Sequence, residues 1–255
     1  MAEAKRGRRA TLSREIILEA AFRVVDADAS NDLTMSRLGR ELDADPSAVY
    51  RHFRNKDELL LAMADVMIEA QIAAYVEGDA PLENLRRMIW SLRRTYLRRP
   101  GLARSVYFRF TGGEAEATCV RVMIDNVRQL GYDEAGAVAA VRALAEMTLG
   151  HISMTADSLA LPRKAQIFEL TMAQSYYAYP VQPQPQRTDA ELREAQLADG
   201  ERVFTTMLET YLTGLVARAP REVATKKATA TKSSASKRTG AAPKPTARRA
   251  AVGAR

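Results

Sequence analysis

The chain has 255 residues, with 38 Lys/Arg against 31 Asp/Glu and a formal net charge of +7, a length that allows one or two domains and a sizeable core. A single cysteine, Cys119, excludes an intrachain disulfide and fits a reducing cytoplasm, and with only His52 and His151 beside it no Cys/His zinc cluster can form. No metal or other cofactor is expected, and no apolar run approaches the ~20 residues of a membrane-spanning helix.

The first ten residues are basic, with Lys5, Arg6, Arg8 and Arg9. No apolar stretch follows them, so the expectation is a disordered basic arm rather than a signal peptide. Ser13 is placed to cap a first helix. Ile17, Ala20, Ala21 and Val24 then recur at i, i+3, i+4 and i+7, with Leu18, Phe22 and Val25 widening the stripe. This helix ends in the polar run 26–32. Thr34 can cap a second, short helix that buries Met35, Leu38 and Leu42. Asp45 directly precedes Pro46, the arrangement of an N-cap and a first helical proline, and predicts a third helix from Pro46 to Phe53. Val49 and Phe53 fall on its buried side, leaving Ser47, Ala48, Tyr50, Arg51 and His52 outward. About eight residues at ~1.5 Å each span ~12 Å, the width of a DNA major groove. Asn55 followed by Glu58 suggests a capping box opening a fourth helix over Leu59, Leu60 and Met63.

Two short helices joined tightly, the second carrying small, hydroxyl and cationic side chains, are what major-groove entry needs. Residues 11–63 resemble the DNA-binding domain of the TetR family of transcriptional regulators. The resemblance is carried by Leu33-Thr34-Met35, by Val49-Tyr50-Arg51-His52-Phe53 and by Asn55-Lys56-Asp57-Glu58-Leu59-Leu60. Asp43 and Asn31 stand where the family commonly has glycine, and both residue types tolerate left-handed backbone. The resemblance implies a two-fold dimer on a near-palindromic double-stranded DNA operator, an all-α body, and repression relieved by a small-molecule effector.

The candidate DNA contacts are Thr34, Arg37, Ser47, Ala48, Tyr50, Arg51, His52 and Lys56. Ser47 and Ala48 are the candidates for base edges, a hydroxyl for several bases and a methyl for thymine. Thr34, Arg37 and Lys56 are expected at phosphates. Tyr50 has two roles open, a ring packed on the core or a hydroxyl on phosphate, and the family resemblance implies the second. His52 is either an ordinary surface histidine or, by its place in the motif, a DNA contact.

Beyond residue 56 the pattern is helical throughout, with no strand alternation and no internal repeat. The expected segments are 56–76, 82–98, 102–110, 114–130, 133–157, 163–177 and 189–217, with a Pro/Gln loop at 181–186. The family's layout would gather Trp90, Tyr96, Tyr107, Phe108, Phe110, Met123, Met147 and His151 around a ligand pocket, although each also reads as plain core. The resemblance places helix 133–157 in a dimer interface with either 163–177 or 189–217.

Residues 220–255 hold ten Lys/Arg and one acid, so 1–219 is about −2 and the high pI belongs to the tail. Without aromatics or large aliphatic clusters, the tail is expected to be disordered. It is either a solubilising appendage or a sequence-independent DNA tether.

The expected fold is therefore all-α. A basic arm (1–10) precedes a three-helix helix-turn-helix domain (11–56), a helical regulatory and dimerisation domain (57–219) and the tail (220–255). The function expected is a nucleoid-associated cytoplasmic repressor. The alternative is an architectural DNA-binding protein dominated by its tail. No phosphate loop, Gly-x-Ser-x-Gly elbow or His-Glu-x-x-His pair points to an enzyme.

Overall fold

The computed structural model describes residues 12–27, 33–107, 109–177 and 188–220. The arm 1–10, Asn31, Phe108, the Pro/Gln loop and residues 221–255 lie outside the described residues. Ten helices follow one another in the described parts: α1 (Arg14–Ala27), α2 (Met35–Glu41), α3 (Pro46–Tyr50), α4 (Lys56–Ile72), α5 (Pro81–Leu97), α6 (Pro100–Val106), α7 (Glu114–Gln129), α8 (Glu134–Ala160), α9 (Arg163–Tyr177) and α10 (Asp189–Ala217). The fold is all-α, as expected.

The expected caps form. Ser13 Oγ accepts from the Ile16 amide at 3.3 Å, and Thr34 Oγ1 from the Arg37 amide at 3.2 Å. Asn55 Oδ1 accepts from the Glu58 amide at 2.8 Å. The expected capping box closes differently, because the Glu58 carboxylate takes the amide of Arg54, not that of Asn55, at 2.8 Å. Several helices differ in extent from expectation, α4 and α6 among them. α4 stops at Ile72 because the Asn84 side chain binds both the amide and the carbonyl of Val76, each at 2.9 Å, and holds that residue in a turn. α6 starts earlier, using Pro100 as its first residue, and ends at Val106.

One apolar core runs from α1 through α4 into the body. Ile17, Leu38, Val49, Phe53, Leu59 and Met63 belong to it, and so do Leu92, Leu102 and Ile152. A second core joins α4, α5, α7, α8 and α10 through Ile68, Met88, Met123, Leu144, Phe204 and Leu208. Fully burying a side chain of this size contributes about 1.5–3 kcal/mol. Helix α4 reaches both cores, so it ties the N-terminal helices to the body.

That tie is reinforced by Asp65 on α4. Its carboxylate accepts from the Ala115 and Glu116 amides at 3.3 and 3.0 Å and from the Thr111 hydroxyl at 2.8 Å. It thereby caps α7, whose own N-cap residue, Gly113, has no side chain to do so. A Cβ at position 113 would lie 2.1 Å from Asp65 Oδ2, so only glycine permits this approach. Asp57, two turns earlier on α4, pairs with Arg109 at 3.3 Å.

Candidate DNA interface

The turn between α2 and α3 is set by three residues. Asp43 adopts φ 47°, the left-handed backbone anticipated for a residue standing in a glycine position. Gly39 is buried, and a Cβ there would sit 2.9 Å from the Ala44 carbonyl oxygen and 3.1 Å from Pro46 Cγ. The Ala44 amide donates to the Gly39 carbonyl at 2.9 Å. Sequence reasoning missed Gly39, although an isolated glycine inside a helical pattern is the signal of such a close approach.

Helix α3 is shorter than expected and ends at Tyr50 rather than Phe53. The His52 and Phe53 amides both donate to the Val49 carbonyl, at 2.9 and 3.0 Å, which tightens the last turn. Val49 and Phe53 are nevertheless both 0% exposed, so the expected anchor pair forms. Asp45 caps the helix by accepting from the Ser47 amide at 2.8 Å. Hydrogen bonds from the Ser47 side chain and amide hold the Asp45 carboxyl below its ordinary range.

Ser47, Tyr50 and Arg51 are exposed on this short helix, and His52 is half-buried just after it. Tyr50 keeps 47% exposure, which fits a contact role rather than a core one. Ala48 is a correction. It is only 9% exposed, because the buried arc of so short a helix covers both Ala48 and Val49, and a methyl projects too little to clear its neighbours. Thr34 is exposed and Arg37 half-exposed at the start of α2, with Lys56 half-exposed in the first turn of α4. Among the described residues, Arg37, Arg40, Arg51 and Lys56 enter no ion pair, so their charge is available to an outside anion.

Arg14 holds this face together. Its guanidinium donates to the His52 carbonyl at 2.6 Å, pairs with Glu58 at 3.3 Å and lies 4.1 Å from the centroid of the Phe53 ring. Arg54 pairs with the same carboxylate at 3.1 Å, and the Arg54 amide, then its guanidinium and that of Arg14, hold the Glu58 carboxyl below its ordinary range. The sequence carries no local signal for this role of Arg14, since its partners lie about forty positions away.

The expected ligand-pocket residues do not line one cavity. Phe110 is 83% exposed and is no pocket wall, because α6 ends four residues before it. Tyr96 and Met123 are buried in different apolar cores, and Tyr107 is half-buried at the end of α6. Trp90 and His151 do come together, each against Phe204, with ring centroids 5.0 and 5.1 Å away, and Met147 packs against the same core. A cavity of about 580 Å³ lies elsewhere, between α1, α4 and the α6–α7 loop, where Arg14, Arg54 and Arg109 face Asp57, Glu58 and Asp65. None of the expected pocket residues within the described part of the chain lines it.

Residues 17–63 match the family described as bacterial regulatory proteins, tetR family. The chain is 31% identical over 107 residues to the HTH-type transcriptional repressor Rv1353c of Mycobacterium tuberculosis, a match covering 41% of each protein. It thus spans about two fifths of the length of the curated relatives it matches. Among solved structures it is similar to the Streptomyces coelicolor TetR family protein ActR in complex with actinorhodin. There the TM-score is 0.65 and identity 24%, over 83% of this chain and 100% of that one. It is also similar to BioQ, solved with its natural double-stranded DNA operator, at TM-score 0.51 and 27% identity, over 66% of this chain and 99% of that one. The capped helix pair, the buried Val49–Phe53 anchor beneath exposed Ser47, Tyr50 and Arg51, and these likenesses agree: residues 17–63 carry a domain matching the tetR family of bacterial regulatory proteins, on a fold similar to that of solved TetR family structures.

Proposed function

We propose that this chain is a dimeric, sequence-specific DNA-binding transcriptional regulator, most simply a repressor that leaves its operator when a small effector binds the body. The observation that carries the reading is α3 itself: Val49 and Phe53 seat it in the core while Ser47, Tyr50 and Arg51 remain outside. In this reading Ser47 bonds a base edge in the major groove, while Thr34, Arg37, Tyr50, Arg51, His52 and Lys56 fix the register through phosphates. BioQ, which shares the fold, is solved on its operator, and ActR with a small molecule, which supports both halves of the proposal.

Helix α3 reads only a few base pairs, so useful specificity needs two copies about one or more DNA turns apart. The interface we propose is a four-helix bundle of α8 and α10 from each subunit. Val138 and Met154 are exposed on α8, with Ala139, Ala143 and Gly150 between them, and Val203 is exposed on α10. α10 packs along α8, whereas α9 contacts α10, which favours α10 over α9 as the second helix. A second copy would bury these apolar side chains.

Selection of bound sequences from random duplex DNA tests the reading. A near-palindrome with two half-sites is the expected result. A pool with no motif overturns it, and so does a monomer by light scattering at micromolar concentration with operator binding intact.

A further inference from the structure

Between the two apolar cores lies a polar seam shared by α5, α8 and α10. On α8, the upper core takes Ile152 and Ala156 and the lower takes Val141 and Leu144; Thr148 and His151 fall between them. From α5 comes Arg93, whose side chain is only 5% exposed. From α10 come Gln196 and Phe204, separated by Gly200, whose missing Cβ leaves space 3.5 Å from an Arg93 terminal nitrogen and 3.4 Å from Thr155 Oγ1.

This seam is incompletely satisfied. Arg93 Nε, Thr148 Oγ1 and Gln196 Oε1 are buried without a hydrogen-bond partner. Arg93 makes one long bond to the Leu197 carbonyl at 3.4 Å and lies 5.6 and 5.3 Å from the Trp90 and Phe204 ring centroids. Its nearest carboxylate, Glu201, is 4.0 Å away and 63% exposed, so water screens most of that attraction. A buried charge ordinarily has a close counter-ion with its remaining donors bonded. A buried guanidinium nitrogen left without a partner is a departure from that rule which asks for an occupant.

The charge of the seam selects the occupant. His151 is held neutral, its pKa pushed down to about 4 by burial and by the Arg93 charge. Arg93 is therefore the single full charge inside. The geometry points to this seam as the seat of a small organic monoanion, such as a carboxylate, bound to the Arg93 guanidinium with its apolar part against Trp90 and Phe204. A dianion would bring an unpaired charge into the seam and a cation would meet Arg93 at close range, so both are disfavoured. In the unliganded chain Glu201 supplies the partial counter-charge that the ligand displaces. This inference rests on the reading of the body as the effector-receiving half and names the chemistry of the effector.

The test uses the full chain with three probe anions, benzoate, naphthoate and octanoate, each against its uncharged amide. Trp90 is the only tryptophan in the sequence, so its fluorescence reports from the seam, and the thermal midpoint gives a second readout. At least one anion is expected to bind saturably and better than its amide. Arg93→Gln should weaken that binding about thirty-fold or more, the loss that follows removal of one partner of a buried charge pair. Arg93→Lys should restore part of it. Glu201→Gln, on an exposed side chain that folding does not need, should tighten it by removing the competing carboxylate.

Amides binding as well as anions, no response to any anion, or weaker binding in Glu201→Gln would each overturn the proposal. DNA selection reports separately. Anion binding at Arg93 without a selected DNA motif would defeat the regulator reading and leave this site standing. A selected motif without anion binding would do the reverse.

Discussion

The N-terminal helices and the body solve the same problem of polar groups in opposite ways. In the first, the bonds that fix helix ends are local: Thr34 to Arg37, Asp45 to Ser47, Asn55 to Glu58. The body has local caps too, Asp133 to Gly136 and Thr188 to Glu191, but it adds bonds that span the chain, with Asp65 reaching the amide of Glu116 and Arg93 reaching the carbonyl of Leu197. Among the described residues, the polar side-chain atoms left buried without partners sit in the body, on Arg93, Thr148 and Gln196. A surface that must present side chains in fixed register benefits from local, saturated bonding. A half that receives a ligand needs groups whose satisfaction waits for it.

The comparison is broken most severely by removing the anchor of the recognition helix. Phe53→Ala empties a fully buried site and should cost about 3–5 kcal/mol in urea unfolding. It also removes the ring under Arg14, so α3 should lose its seat before the body unfolds. A cost under about 1 kcal/mol would mean that α3 is held chiefly by its caps.

Arg93→Met should act in the opposite direction. Replacing a poorly paired buried guanidinium by an apolar side chain of similar length is expected to raise stability by about 1–2 kcal/mol. Such a gain at an interior arginine is the mark of a residue kept for binding rather than for folding. A large loss of stability would make Arg93 structural and erase the contrast between the halves.

His151 gives the seam a pH signature. Its pKa in the folded chain, about 4, lies below the ordinary 6.5, so the unfolded chain takes up the proton first as pH falls. The stability that this neutral ring supports is complete above about 6.5 and is lost as pH falls from there toward 4. The full shift corresponds to about 3 kcal/mol, and solvent reaching the half-exposed ring reduces the expected loss to about 1–2 kcal/mol. The His151→Gln variant should show a flatter stability curve than the parent between pH 6.5 and 4, which cancels the carboxylates that titrate in both. Parallel curves would place His151 in water rather than against Arg93.

The legibility of the sequence follows the same division. Asp45-Pro46, Thr34 and Asn55 announced their helices because a cap is a short-range arrangement, and Asp43 announced its φ because few residues tolerate it. The ten-helix order was readable from apolar spacing. Gly39 and Gly113 were not, since what excludes a Cβ there is a neighbour brought in by the turn or by another helix. The grouping of pocket residues was only partly readable: Trp90 and His151 meet at Phe204, but Phe110 points into solvent. Arg93 drew no notice, because arginine in an amphipathic helix reads as a solvated face. Its burial depends on α10, more than a hundred positions away.

The smallest expected effect tests whether the local rule holds at its simplest. Asn55 caps α4 through one side-chain bond, 2.8 Å to the Glu58 amide, and is itself exposed. Asn55→Ala should cost about 1 kcal/mol, and Asn55→Asp should recover most of it, since either carboxamide or carboxylate oxygen accepts the same amide. A cap is a local device, so the loss in Asn55→Ala should add to that of Thr34→Ala, a second exposed cap on another helix. Additivity within about 0.5 kcal/mol would support independent local bonding in the N-terminal half. Strong coupling between the two would show that α2 and α4 are fixed by a shared network, as the body helices are, and the contrast drawn above would fail at its simplest point.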